Sequence, residues 1–173
     1  MDAVKLSGLI EDHAQFPVVL AALLPVGDHA RMREREADRR WSPLEILVHL
    51  RDEELEDFGA RAKLAAAGKL IESGIDPEGW VVARAYNEQD PVAVLAGFES
   101  ERARSVEWLR SLSLEDLECG VEHPQHGRFR CGDFVAAWRQ HDLLHLRQLA
   151  TTLARQHARA HSSWRVSYAG RLP

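Results

Sequence analysis

The sequence predicts an all-α domain, a four-helix bundle with a long connection between its second and third helices. Three observations carry this expectation. Apolar residues recur at helical spacing over four long segments, helix-starting or helix-stopping residues stand at the ends of those segments, and β-branched residues nowhere gather into alternating runs. Amphipathic helices without strands bury their apolar faces against one another. A chain of 173 residues is long enough to form that core as one domain without disulfide or metal support. The bundle is expected over residues 1–158, with 159–173 as a C-terminal tail.

The first helix is expected from Val4 to Leu24, broken or kinked near Phe16 because Pro17 lacks an N–H. Residues 25–40 read as a charged connection. Trp41-Ser42-Pro43 marks the next helix start, with Ser42 as N-cap, Pro43 at the first helical position and Glu45 three residues after the cap. That second helix should run to Ala67 and stop at Gly68. Gly74, Pro77, Gly79 and Asp90-Pro91 then predict a connection over 69–90 with no more than one helical turn, a length that is often functional. Within it, Trp80 and Tyr86 either plug the bundle end or line a substrate cleft.

The third helix opens at Pro91 and reaches Leu112, with Val94, Leu95, Phe98, Val106 and Leu109 approximating one face. Residues 113–131 read as a loop holding His123 and His126, solvent-exposed or at the mouth of a site. The fourth helix opens near Gly132-Asp133 and extends to His157. In the tail, Trp164 and Tyr168 are expected to pack back on the domain.

With 22 basic and 27 acidic residues the net charge is −5, which argues against nucleic acid or an anionic membrane as partner. Cys119 and Cys131 are the only cysteines, and no signal peptide or twenty-residue apolar span is evident, so a reducing cytoplasm is expected. The two thiols are either free and buried or paired within their connecting segment.

The chemistry centres on His141 and His145. Four residues apart, they stack on one helix face, where both can reach a single ion. Phe134, Ala137, Trp138, Leu144, Gln148 and Leu149 share that side, so the pair lies in an apolar stripe where an unpartnered polar ring is costly. Either a neighbouring side chain satisfies them or a metal does. Trp138 reads as core or as an apolar wall, Gln148 as a partner for a histidine, and Asp142 as peripheral. The third candidate is His49. On a helical wheel it points away from Leu44, Leu47, Val48, Leu55 and Phe58, beside Glu45, Asp52, Glu53 and Glu56, and alone reads as a surface histidine. Ile46 and Leu50 nevertheless make a second apolar side. The helix is therefore either deeply buried or shared with another subunit, and a homodimer is the expectation drawn from it.

The run Trp41-Ser-Pro-Leu-Glu-Ile-Leu-Val-His49-Leu-Arg-Asp-Glu53 resembles the second helix of the DinB-like superfamily, which includes the YfiT-like metal proteins. Asp90-Pro91 with Phe98 and Arg102 resembles the start of its third helix. His123-Pro-Gln-His126-Gly127 followed by Trp138-Arg-Gln-His141-Asp-Leu-Leu-His145-Leu-Arg-Gln148 resembles its fourth helix and the preceding loop. The resemblance spans about residues 3–155. It implies a divalent metal bound at one end of the bundle by His49, His141 and His145. Three imidazoles suit Zn, Ni or Fe(II) and leave a coordination position open. The implied activity is metal-dependent, either transfer of a low-molecular-weight thiol to a small-molecule electrophile or hydrolysis; the alternative is a non-enzymatic stress-response or small-ligand-binding bundle with a structural metal or none. Glu45 and Glu53, one turn either side of His49, are candidates for an extra ligand, a general base or a hydrogen-bond acceptor for an imidazole, or are solvated charges. Either cysteine could approach the metal.

Overall fold

Four long helical segments enclose the core, in the order their caps and apolar periodicity predict. The computed structural model describes residues 2–36, 40–69, 74–123, 125 and 127–170. Its elements are α1 (Ala3–Leu23), α2 (His29–Arg33), α3 (Pro43–Glu56), α4 (Phe58–Ala66), α5 (Pro77–Ala83), a 3-10 turn (Tyr86–Glu88), α6 (Pro91–Ser111), α7 (Leu114–Glu118), β1 (Gly120–His123), β2 (Gly127–Arg130), α8 (Cys131–Ala160) and a last 3-10 turn (Val166–Ala169). Among the described residues no helix is long and apolar enough to cross a membrane.

In the bundle, α1 packs against α6 and α8, and α3 packs against the same two, while α4 continues along α8. Thus α1 lies across the bundle from α3, and α6 across from α8. Two of the three inter-helix connections therefore cross the bundle. One half of the core gathers Phe16, Leu20, Leu44, Leu47, Phe98 and Leu149. The other gathers Leu6, Ile10, Ala62, Val106, Leu109 and Val135.

Several expectations are corrected. Helix α1 runs unbroken through Pro17. The missing Pro17 N–H would have bonded the His13 carbonyl four residues earlier, and the guanidinium of Arg102 reaches that carbonyl instead, at 3.4 Å. The expected second helix divides at Asp57, which leaves helical geometry at φ −118° and ψ −93°. The connections carry more structure than expected: α2 stands in the first, α5 and a 3-10 turn in the second. The third holds α7 and an antiparallel hairpin pairing Gly120 with Arg130 and His123 with Gly127. The four-residue strands are too short for alternation to show in the sequence. Trp164 and Tyr168 do not pack back; they are 75% and 93% exposed. Cys119 and Cys131 are both free, although adjoining at the hairpin base, where the Cys131 N–H donates to the Cys119 carbonyl at 2.8 Å.

The start of α3 forms as read. Ser42 Oγ accepts from the Glu45 N–H at 3.2 Å and Glu45 Oε2 accepts from the Ser42 N–H at 2.8 Å, closing the capping box. From Pro43 to Leu50 every residue of α3 is buried. Both apolar sides of the helix are therefore covered within the chain as far as Leu50, whereas Leu55, on the first of them, is 45% exposed.

Candidate metal centre

His49 lies midway along α3, and His141 and His145 midway along α8, the two helices meeting face to face. Their three Nε2 atoms form a nearly equilateral triangle: 3.2 Å from His49 to His141, 3.1 Å from His49 to His145 and 3.0 Å between His141 and His145. These are the described residues whose ligand atoms converge closely enough to hold one ion.

The spacing fits a transition metal. Bonds of roughly 2.0–2.1 Å would set three nitrogens roughly 2.9 Å apart at right angles, and roughly 3.4 Å apart at tetrahedral angles. The observed separations fall between those limits. The protonation chemistry agrees. His145 Nδ1 lies 2.7 Å from Gln148 Oε1. A carbonyl oxygen only accepts, so Nδ1 carries the hydrogen and Nε2 turns its lone pair toward the cluster. Burial, followed by the charges of His145 and His141, pushes the His49 pKa down to about 2. Burial, then His145 and Arg102, pushes His141 down to about 3. His145 is also lowered by burial, against the opposing pull of Gln148. Three neutral imidazoles whose Nε2 atoms converge offer a single cation its donors.

Aromatic rings frame the triangle. Trp41 stacks on His145 with centroids 6.1 Å apart and planes 5° from parallel, and it also lies 4.8 Å from the His49 ring. Phe58, the first residue after the α3–α4 break, lies 4.9 Å from His141. Neither was singled out from the sequence as a site wall. The available signal was local: Trp41 precedes the N-cap, where an apolar residue often folds back over the first turn.

The remaining candidates separate. Glu53 stays beside the centre, its Oε1 3.7 Å from His49 Nδ1, beyond hydrogen-bond length; that Nδ1 is buried without a hydrogen-bond partner. Burial, then the charge of Asp57 and a hydrogen bond to it, raises the Glu53 carboxyl to about 8. Glu45 is occupied elsewhere, bonded to the Ser42 N–H and paired with the Arg35 guanidinium. Gln148 is the histidine partner the sequence suggested. Asp142 is not peripheral but fully buried, bonded to Arg102 at 2.8 and 2.9 Å. Trp138 is core, stacked behind Phe58 and edge-on to His13.

Tyr86 is fully buried and donates to Asp52 at 2.9 Å, while Trp80 packs against the core, so both plug the bundle. Cys131 sits in the other half of the core. His123 lies on β1, its Nδ1 accepting from the Gln125 N–H at 3.2 Å. His126 is outside the described residues.

Comparison with known proteins agrees with this architecture. The family model of the DinB superfamily matches residues 13–149. Among solved structures, YfiT from Bacillus subtilis, described as a probable metal-dependent hydrolase with an unusual four-helix bundle topology, superposes with a TM-score of 0.80. It is 18% identical, over 91% of this chain and 90% of that one. At that identity the likeness speaks for the fold. No curated protein matches the chain.

Proposed function

The chain belongs to the DinB superfamily, and on that premise we propose that it is a metal-dependent enzyme whose centre is His49, His141 and His145. It activates a nucleophile, a low-molecular-weight thiol or water, for attack on a small-molecule electrophile. The observation that carries this reading is the triangle of neutral Nε2 atoms 3.0–3.2 Å apart. Zinc, nickel or ferrous iron suits that donor set, and a three-nitrogen site keeps a position open for substrate. Such an ion, when bound, acts as a Lewis acid that lowers the pKa of a protic ligand toward neutrality.

The chain's own residues prepare the site. Gln148 holds His145 in the tautomer that presents Nε2. Trp41 and Phe58 fix the imidazole planes and exclude water from two sides. Glu53 faces the back of His49, its own carboxyl raised to about 8 by burial and the neighbouring Asp57 charge. Glu53 is thereby a positioning residue, and Glu45 secures the start of the helix that carries His49.

Purification without an affinity tag followed by elemental analysis tests the centre. About one equivalent of a divalent transition metal is expected, falling below about a tenth in His141→Ala. Metal-loaded protein should then consume a thiol or hydrolyse an ester or amide in a panel of electrophiles, and His141→Ala should abolish that turnover. Bound metal with no turnover on any member of the panel would reject the enzyme in favour of a structural metal. Protein purified with no metal would reject the centre itself.

A further inference from the structure

His145 and Trp41 also form part of the wall of an open cleft of about 670 Å³, whose other walls carry Arg40, Arg147, Gln148 and Arg155. Donors dominate it. Arg40 and Arg155 approach the carboxylate of Glu36, at 3.7 and 2.8 Å. Arg147 is exposed and has no acidic partner among the described residues. Gln148 commits its carbonyl oxygen to His145, and its amide nitrogen makes no hydrogen bond among the described residues. Among the described residues, Glu78 is the one acid lining the cleft. Three guanidinium groups thus gather beside a cation-binding cluster in a chain whose net charge is −5. Glu36 offsets part of the repulsion among them, an anion beside Arg147 offsets the rest most directly, and the planar fork of arginine matches the paired oxygens of carboxylate and phosphate.

We propose that this cleft is an anion subsite for the substrate. A small organic molecule places a carboxylate or phosphate on Arg147, assisted by Arg40 and Arg155, so that the rest of the molecule extends past Gln148 toward His145. The direction of the reacting group rests on the metal-centre reading above; the anion subsite does not.

Titration calorimetry on the protein as purified, with succinate and glycerol 3-phosphate as probes and 1,4-butanediol as the neutral counterpart, tests it. At least one anion should bind and the diol should not, and the tighter anion distinguishes carboxylate from phosphate. Arg147→Ala should raise Kd about tenfold, the loss of one charge-assisted hydrogen-bonded contact. Arg147→Lys should recover part of that loss, and Arg165→Ala, a substitution in the exposed tail, should change nothing. In His141→Ala, which dismantles the metal centre, anion binding should persist and still depend on Arg147. The anion subsite therefore stands or falls separately from the metal. Unchanged affinity in Arg147→Ala would overturn the proposal, as would no binding of either anion below roughly 10 mM. Binding that disappears in His141→Ala but ignores Arg147 would also overturn it, by placing the anion on the metal alone.

Discussion

His13 is fully buried, edge-on to Trp138 and 3.4 Å from the Val135 carbonyl, and burial together with the Arg102 charge pushes its pKa down to about 3. Asp142 Oδ2 lies only 3.8 Å away. That carboxylate is already held by Arg102, and the imidazole stays neutral. The unfolded chain, titrating near 6.5, binds a proton there that the native state refuses. Stability from His13 is thus complete above pH 6.5 and is lost as pH falls toward 3. The lowered values of His49 and His141 act in the same sense in metal-free protein. Urea denaturation should show native stability falling between pH 7 and 5.5, with a loss smaller by about 1.4 kcal/mol in His13→Gln; equal losses in the two proteins would mean that His13 is protonated in the native state. At this scale two of the three histidines were legible from helical spacing. The spacing of His141 and His145 shows on the helix. His49 does not, because its acidic neighbours read as a solvated face. In the fold Glu45, Asp52 and Glu53 turn inward, Glu45 meeting Arg35 and Asp52 meeting Arg51 and Arg84, while Glu56 stays exposed and pairs with Arg84 at the surface. Those cations come mostly from the connections, whose paths no periodicity reveals.

Helices α3 and α4 set the reach of the centre, since the break between them turns Phe58 onto His141. Gly59 makes that break possible. A Cβ there would lie 2.5 Å from the Glu54 carbonyl oxygen and 3.2 Å from Trp138 Cη2, so α4 could not approach the end of α3 so closely. Gly97, within α6, differs: its Cβ would meet Arg51 Cδ at an ordinary 3.6 Å. Gly97→Ala should therefore stabilise the protein by about 0.5–1 kcal/mol through helix propensity. Gly59→Ala should destabilise it by about 1–3 kcal/mol through overpacking and weaken metal retention as Phe58 shifts. Melting curves and metal content of the two variants check this, and a stabilised Gly59→Ala would remove the packing account of the break. The starts of α3 and α6 were readable because Ser42-Pro43 and Asp90-Pro91 satisfy end-of-helix hydrogen bonds locally. The break was not. It depends on a glycine pressed against the Glu54 carbonyl of α3 and set beside Trp138 of α8, and a glycine inside a helical pattern states no partner.

Across the whole molecule, Arg102 joins all four helical segments through one buried guanidinium. From α6 it bonds Glu54 on α3 at 2.8 Å, Asp142 on α8 at 2.8 and 2.9 Å, and the His13 carbonyl on α1 at 3.4 Å, and it lies 5.1 Å from the Phe98 ring centroid. Glu54 and Asp142 each directly follow a residue of the centre, Glu53 and His141. The cluster therefore sets how α3 and α8 face one another, and with that the distance between His49 and the α8 pair. Arg102 bonds both buried carboxylates, while Arg139 reaches Asp142 only at 4.0 Å, and burial raises both carboxyl pKa values although the arginines oppose the rise. Arg102→Met should cost about 3–5 kcal/mol, because it strands both acids rather than removing a favourable pair. The stranded acids would bind protons more readily in the native state than in the unfolded chain, so the cost should shrink as pH falls from 7 to 5. Converting the whole cluster, with Glu54→Leu and Asp142→Leu added, should recover most of the stability. It would not restore metal affinity, because apolar contacts do not hold two helices in one register. Urea denaturation alongside zinc titration separates the two quantities. Full recovery of zinc affinity in the triple variant would show that packing alone aligns the histidines.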